Sequence, residues 1–307
     1  MQGDACAVTE GTLLGGRVRY AQPARGFRSG IEPVLLAAFV RARDGERVLE
    51  AGSGAGAGLL CLAARVPGAI GVGVERDPAL AALAAANAAA NGFHRLTFQA
   101  ADLLADGPDG IFDHAMANPP YHRPGGTASG DAAREAAKRA APGGIGAWAA
   151  ALARRLRPRG SVSLVLSAPG VPEALEALTK AGIGSPTLLP LWPRANTPAR
   201  LVLLRGTLGG RASFTLHPGL ILHHPDGRFT DAAEAALRGG GRWGKARPEG
   251  RCPSGHPARG QVPWTPRTGF QGPALGRGSR GTASPWPSFT PSPPPPKVPV
   301  PPRAGGA

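Results

Sequence analysis

The fold is decided by residues 48–56, which read VLEAGSGAG. The first four residues are typical of a short buried strand, and the glycines that follow predict a tight turn into a helix beginning near Leu59. Glycine lets a ligand approach the backbone closely. In parallel α/β sheets, ligands bind beyond the carboxyl ends of the strands. The stretch therefore predicts the first strand–loop–helix unit of an α/β fold and the place of its ligand.

The alternation of strand and helix continues after this unit. Strands are predicted over 70–75, 96–99, 112–117 and 161–167, helices from Asp77 to Asn91, over 143–156 and over 171–181, and two antiparallel strands over 187–191 and 199–205. Near-continuous apolar strands separated by helices indicate a parallel sheet that is covered on both faces.

The flanking segments have their own character. A hairpin is predicted around 13–20, a helix over 33–42, an extended segment over 214–223 and a helix over 230–237. Residues 241–307 hold 16 Pro and 12 Gly, so they cannot bury enough apolar surface to fold. We predict an N-terminal segment and hairpin (1–32), a main domain (33–240) and a disordered tail (241–307), which is either a basic interaction tail or read-through of GC-rich sequence.

The net charge of +15 is divided unevenly. The tail carries 10 Lys/Arg and one acid, which leaves the first 240 residues at only +6, a value compatible with a nucleic-acid partner. Three distant cysteines indicate neither a disulfide framework nor a metal site. Without an apolar run of membrane length or a secretory signal, we expect a cytoplasmic protein with no membrane span and no metal.

Carboxylates at the strand ends indicate an adenosine-containing cofactor. Glu75 ends the second strand and can accept both hydroxyls of a ribose, and Asp102 follows the third strand, where it can accept from an adenine amine. The pattern Gly52-x-Gly54-x-x-Ala57 also fits a loose dinucleotide fingerprint. Glu50, however, would repel a pyrophosphate and attract the ammonium of a methionine moiety.

A rigid corner follows the fourth strand, at Asn118-Pro119-Pro120-Tyr121. Two prolines fix two φ angles and hold the preceding residue extended. The corner presents an amide, a bare carbonyl and an aromatic ring, which suit a planar group carrying –NH2. An ordinary turn is the alternative for these four residues taken alone.

These motifs together resemble those of Rossmann-like S-adenosylmethionine-dependent methyltransferases that modify an exocyclic or amide nitrogen. Residues 26–38, which read GFRSGIEPVLLAA, are similar to the corresponding run of the bacterial tRNA1(Val) adenine-37 N6-methyltransferase family, as are 191–194 and 219–239. The resemblance covers about residues 8–240. Phe27, Glu32 and Glu50 depart from the residues usual in the family, and so does the Gly/Arg-rich segment after Tyr121, which is expected to face the substrate.

The resemblance implies a seven-stranded methyltransferase sheet, S-adenosylmethionine as cofactor and tRNA as partner. The oligomeric state is left open, with a monomer favoured. It assigns the methyl-acceptor clamp to Asn118, Pro119 and Tyr121. It assigns cofactor binding to Glu50, Gly52, Ser53, Gly54, Gly56, Glu75, Asp102 and Asn118. Substrate contacts are expected at Arg28, His122, Lys138, Arg139 and Arg194.

Three alternatives remain. Protein glutamine N5-methyltransferases of release factors share the Asn-Pro-Pro-Tyr motif, but they carry a helical domain before the glycine loop, and here the first strand already begins near Arg47. An N6-adenine DNA methyltransferase would need a large target-recognition domain. A catalytically silent nucleotide-binding or RNA-binding module is disfavoured by the intact Glu75, Asn118 and Tyr121.

Overall fold

The computed structural model describes residues 7–25, 28–105, 107–119 and 144–239. Its strands are β1 (Val8–Leu13), β2 (Val18–Pro23), β3 (Arg47–Ala51), β4 (Ile70–Glu75), β5 (Leu96–Ala100), β6 (Phe112–Ala117), β7 (Leu156–Ser167), β8 (Ile183–Trp192), β9 (Leu201–Leu208), β10 (Thr215–Leu216) and β11 (Leu220–Ile221). Its helices are α1 (Glu32–Phe39), α2 (Ala57–Arg65), α3 (Pro78–Ala90), α4 (Gly144–Ala153), α5 (Val171–Lys180) and α6 (Asp231–Leu237).

The central sheet has the order β10-β8-β9-β7-β6-β3-β4-β5, and β11 also pairs with β8. Strands β3 to β7 pair in parallel, whereas β9 is antiparallel to both β7 and β8. The predicted seven-stranded α/β sheet is therefore confirmed. Two further strands of two residues each come from the segment that was predicted only as extended.

Two apolar clusters lie on the two faces of this sheet. One is built from α1, α2 and α6 against residues such as Val48 and Met116, and the other from α4 and α5 against Leu49 and Ala115. Because successive residues of a strand point to opposite faces, a strand buried on both sides must be apolar throughout. Helices on both faces are therefore a direct consequence of the apolar strands.

Local signals fix the helix ends. Asp77 Oδ1 accepts from the amides of Ala79 at 2.8 Å and Leu80 at 3.4 Å, so Asp77 caps α3 at the residue where the sequence predicts this helix to begin. The hydroxyl of Thr230 accepts from Ala233 at 3.2 Å at the start of α6. None of the helices in the described residues has the length and apolar composition needed to cross a membrane.

One predicted boundary is wrong. The helix predicted over 143–156 ends at Ala153, and β7 begins at Leu156, earlier than the predicted start at Ser161. The amide of Phe112 donates to the carbonyl of Arg155 at 2.8 Å, and Leu156 pairs with Phe112. The guanidinium of Arg157 bonds Asp113 at 2.5 Å. Contacts with residues of β6 thus stabilise this arginine-rich segment as a strand and not as a continuation of the helix.

The N-terminal strands β1 and β2 form an antiparallel hairpin that is separate from the central sheet. This confirms the predicted hairpin. The predicted tail, 241–307, lies outside the described residues, and the proposed division into domains stays a prediction.

Candidate active site

The loop between β3 and α2 is fastened to the end of β4. The amides of Gly52 and Ser53 donate to the carbonyl of Val74 at 2.8 and 3.0 Å, and the amide of Gly54 donates to Glu75 Oε2 at 2.9 Å. Gly52, Gly54 and Gly56 have φ angles of 66°, 54° and 88°. Glycine adopts these left-handed conformations without steric cost, which explains why glycines occupy these three positions of the predicted turn.

The two sides of this loop differ in their surroundings. A Cβ placed on Gly54 would meet nothing within 4 Å, whereas one on Gly56 would meet the Phe98 ring at 3.0 Å and Ala84 at 3.1 Å. The Ser53 hydroxyl is buried and has no hydrogen-bond partner within the described part of the chain. Gly54 therefore borders open space, and Gly56 marks close packing of the loop on the core.

Glu50 is buried directly behind the loop. Its Oε2 accepts from the amide of Leu59 at 2.9 Å, in the first turn of α2, and a Cβ on Gly58 would collide with Oε1. Burial raises the pKa of Glu50 to about 8, the bond from Leu59 opposes this, and the charge of Glu75 adds to it. The carboxylate thus faces a helix N-terminus, and its predicted contact with a cofactor ammonium stays a prediction.

Glu75 and Asp102 follow neighbouring strands. Besides the bond from Gly54, Glu75 accepts from the amide of Asp77 through Oε1 at 3.0 Å. The amide of Ala101 donates to the carbonyl of Glu75 at 3.0 Å, which joins the two strand ends. Asp102 Oδ1 accepts from Leu104 at 2.9 Å and so stabilises its own turn.

Asn118 follows the last residue of β6. Ala117 pairs with Ala51, so Asn118 and Gly52 leave neighbouring strands at the same level. Asn118 is partly buried and Pro119 is buried. The structure therefore brings the glycine loop, Glu75, Asp102 and Asn118 to one edge of the sheet. The other predicted clamp and substrate residues Tyr121, His122, Lys138 and Arg139 lie outside the described residues.

Two predicted substrate contacts can be placed. Arg194 is exposed in the turn after β8, which ends at the same edge of the sheet as β6. Arg28 is exposed in the segment between the hairpin and α1. Its neighbour Ser29 bonds the Tyr20 hydroxyl at 2.8 Å and donates its amide to Gln22 at 3.1 Å.

Two residues near the loop escaped the sequence analysis. A Cβ on Gly52 would meet the Trp148 ring at 3.1 Å, so α4 brings an indole against the loop. Asn87, in α3, donates to the carbonyl of Ala55 at 3.0 Å. The only signal for Asn87 was a polar residue inside an alanine-rich run, and Trp148 gave none beyond its aromatic character.

Comparison with known proteins agrees with this arrangement. The family model of the methyltransferase small domain matches residues 32–169. A tRNA1(Val) (adenine(37)-N6)-methyltransferase from Aeromonas hydrophila is 30% identical over 205 residues, which are 66% of this chain and 85% of that protein. A release factor glutamine methyltransferase from Rhodospirillum rubrum is 42% identical over 77 residues, which are 25% of this chain and 24% of that protein.

A solved structure extends the likeness to the fold. A predicted O-methyltransferase from Agrobacterium tumefaciens superposes with a TM-score of 0.58 at 24% identity, over 69% of this chain and 98% of that one. This likeness shows the shared sheet and helix arrangement. Together with the coverage of the Aeromonas relative, it leads to one conclusion: the chain belongs to the tRNA1(Val) (adenine(37)-N6)-methyltransferase family and is an S-adenosylmethionine-dependent methyltransferase.

Proposed function

We propose that this enzyme methylates the exocyclic N6 amine of an adenine in tRNA, as the name of its Aeromonas relative states for that protein. The observation that carries the proposal is the register of the sheet. Ala51 pairs with Val74 on one side and with Ala117 on the other, so the glycine loop, Glu75 and Asn118 leave three adjacent strands at one level. A methyl donor on the loop would lie beside an acceptor held by Asn118.

The residues at this edge fit S-adenosylmethionine. The open space at Gly54 admits a ligand against the backbone, and the orphaned hydroxyl of Ser53 lies at the same loop. Each oxygen of Glu75 accepts one backbone amide, and a carboxylate has about four acceptor positions, which leaves capacity for two ribose hydroxyls. In this proposal Asp102 accepts from the adenine amine, and Glu50 attracts the cationic methionine part.

The chemistry needs orientation more than acid or base. The bound cofactor supplies a methyl group on a positively charged sulfur that leaves as a neutral thioether. The side-chain carbonyl of Asn118 and the backbone carbonyl of Pro119 would accept hydrogen bonds from the two N–H groups of the amine and aim its lone pair at the methyl group. As the N–C bond forms and the C–S bond breaks, the nitrogen becomes cationic and loses one of its two protons to water. Tyr121 would stack on the extruded base, which is worth about 1–3 kcal/mol.

The substrate side of the proposal is electrostatic. The exposed Arg194 and Arg28, with Lys138, Arg139 and His122, would contact tRNA phosphates around the clamp. The charge of +6 on the first 240 residues suits such contacts without demanding them. A tRNA substrate also implies that the enzyme works in the cytoplasm, and we propose that it acts as a monomer.

Replacing Asn118 by Ala tests the clamp. We expect the variant still to bind S-adenosylmethionine and to lose methyl transfer by about 100-fold or more, the range found when one positioned polar group is removed from an active site. The matched control is Asn196→Gly, which removes an exposed asparagine with a φ of 59° from the turn after β8. Equal turnover in the Asn118 variant and the wild type would refute the assigned role.

A second candidate is methylation of a glutamine amide, because the Rhodospirillum relative is a release factor glutamine methyltransferase and an amide also carries a planar –NH2. Nucleoside analysis of tRNA from cells lacking the gene separates the two. Loss of N6-methyladenosine, restored by the wild type but not by Asn118→Ala, supports the tRNA substrate. An unchanged tRNA profile with unmethylated release factors would move the assignment to the protein substrate.

A further inference from the structure

Asn87 connects two segments outside its own helix. It is 4% exposed and lies in the last turn of α3. Its Nδ2 donates to the carbonyl of Ala55 in the glycine loop at 3.0 Å and to the carbonyl of Ala21 in β2 at 2.8 Å. Its Oδ1 accepts from the amide of Ala21 at 2.9 Å. Both donors of one buried amide are therefore used, one on the loop and one on the hairpin.

On the hairpin side, the contact leads toward the exposed Arg28. Ala21 adjoins Tyr20 and Gln22, and both of these side chains bond Ser29, through the Tyr20 hydroxyl and Gln22 Oε1. The position of β2 therefore sets the position of the segment that carries Arg28. Asn87 holds β2 at the residue that lies between these two anchors.

On the loop side, the contact adds a side-chain anchor to the peptide between Ala55 and Gly56, whose amide already donates to the carbonyl of Ser53 at 2.8 Å. Ala55 stands between Gly54 and Gly56, which both have positive φ. The amide of Gly54 is held by Glu75 from β4, and the carbonyl of Ala55 is held by Asn87 from α3. Without the second anchor, a bound ligand would have to order this part of the loop and would bind less tightly.

We propose that Asn87 is a positioning residue that couples the N-terminal hairpin, and the Arg28 segment attached to it, to the glycine loop that binds the cofactor. The inference rests on the proposed assignment of this loop to S-adenosylmethionine. Coupling between two sites is reciprocal, so cofactor on the loop steadies the hairpin, and a correctly placed hairpin favours the cofactor. The substrate side of the enzyme is thereby set when the methyl donor binds.

Asn91 provides a matched control on the same helix. It accepts from the amide of Arg19 at 2.8 Å and donates to the carbonyl of Arg19 at 2.8 Å, so it makes the same pair of bonds to β2 as Asn87 does. Its other donor bond goes to the backbone of Asn87 and not to the loop. Asn91→Ala therefore removes a hairpin anchor and leaves the loop contact in place.

The test measures the Kd of S-adenosylmethionine by calorimetry, well below the Tm of each variant. We expect Asn87→Ala to weaken binding about 10-fold, the worth of one buried hydrogen bond, and Asn91→Ala to weaken it less than about 2-fold. Equal changes in both variants would mean that the bond from Asn87 to Ala55 contributes nothing of its own, which would refute Asn87 as the coupling residue. Unchanged affinity in Asn87→Ala would also overturn the proposal.

Two further measurements keep the outcome interpretable. Glu75→Ala tests whether the loop binds the cofactor, and full affinity for S-adenosylmethionine in this variant would refute that assignment. If Glu75→Ala loses affinity but Asn87→Ala and Asn91→Ala have equal Kd values, the cofactor assignment stands and only the coupling through Asn87 is refuted. Hydrogen exchange on the wild-type enzyme decides the case if Asn87→Ala does not fold. We expect cofactor to slow amide exchange over residues 17–25, and unchanged exchange there would overturn the coupling.

Discussion

Replacing Glu50 by Gln removes a buried ionisable group and keeps an oxygen that can accept from the amide of Leu59. Burial raises the pKa of Glu50 from 4.5 to about 8. Between these two values the folded enzyme holds a proton that the unfolded chain has lost. The free energy of unfolding therefore falls as pH rises through this window. Below pH 4.5, where Glu50 is protonated in both the folded and the unfolded state, it causes no such loss of stability.

The size of the effect follows from the shift. One pKa unit corresponds to about 1.4 kcal/mol, so Glu50 costs about 3 kcal/mol of stability by pH 7 and about 5 kcal/mol by pH 9, relative to acidic solution. The Gln variant does not titrate at this position. We therefore expect it to be more stable than the wild type without cofactor, by a margin that grows with pH.

The assay is urea denaturation of both proteins without cofactor at five pH values from 5 to 9. Subtracting the two free energies of unfolding cancels every other titrating group. Glu10→Gln, at an exposed acid of β1, is the control and should give a flat difference. A difference for Glu50→Gln that stays constant within about 0.5 kcal/mol, or a Gln variant less stable than wild type at pH 9, would refute the reasoning.

Two further predictions concern the loop and its neighbouring helix. Gly54→Ala and Gly56→Ala both place a side chain at positive φ, which costs about 1–2 kcal/mol. Only the alanine at position 56 meets Phe98 and Ala84, so Gly56→Ala should lower the Tm more than Gly54→Ala does. Gly54 borders open space, so Gly54→Ala should mainly raise the Kd of the cofactor. A larger loss of Tm in Gly54→Ala by thermal melting, or a larger rise in Kd in Gly56→Ala by calorimetry, would contradict this. Asp77→Ala should cost about 1 kcal/mol of stability, because α3 loses its N-cap. Urea denaturation measures this loss, with Asp231→Ala, in the first turn of α6, as the control. An unchanged denaturation midpoint in Asp77→Ala would contradict the role of Asp77 as a cap.

The sequence was informative wherever one residue type has one physical use. Apolar strands followed by glycines located the edge of the sheet, since parallel strands bring their carboxyl ends together. Asp77 before Pro78 located a helix start for the same kind of reason. The prediction of helix after Ala153 was wrong because arginines suit a helix end as well as a strand. Only the contacts with Asp113 and with the backbone of β6 decide between helix and strand.

Side-chain partners across the fold were beyond such patterns. Nothing in an alanine-rich helix states that Asn87 reaches Ala55, 32 residues earlier, because that contact depends on how α3 lies against the loop. The bond between Glu50 and the amide of Leu59 was not predicted for a related reason. A carboxylate before a glycine loop can face the ligand or the helix N-terminus, and the missing Cβ of Gly58 is what makes room for the second arrangement.

The two carboxylates near the loop therefore have different roles: Glu50 pairs with Gly73 inside the sheet, whereas Glu75 is the last residue of β4. Glu75 holds the backbone of the loop with both oxygens and keeps acceptor positions for a ligand. Glu50 is buried at a cost that the bond from Leu59 offsets only in part, so it destabilises the enzyme when it ionises. A nearby cation would favour the ionised form and remove that cost. In the proposed site the cofactor is that cation, so its binding would lower the pKa of Glu50 and, below pH 8, release the proton that the free enzyme holds.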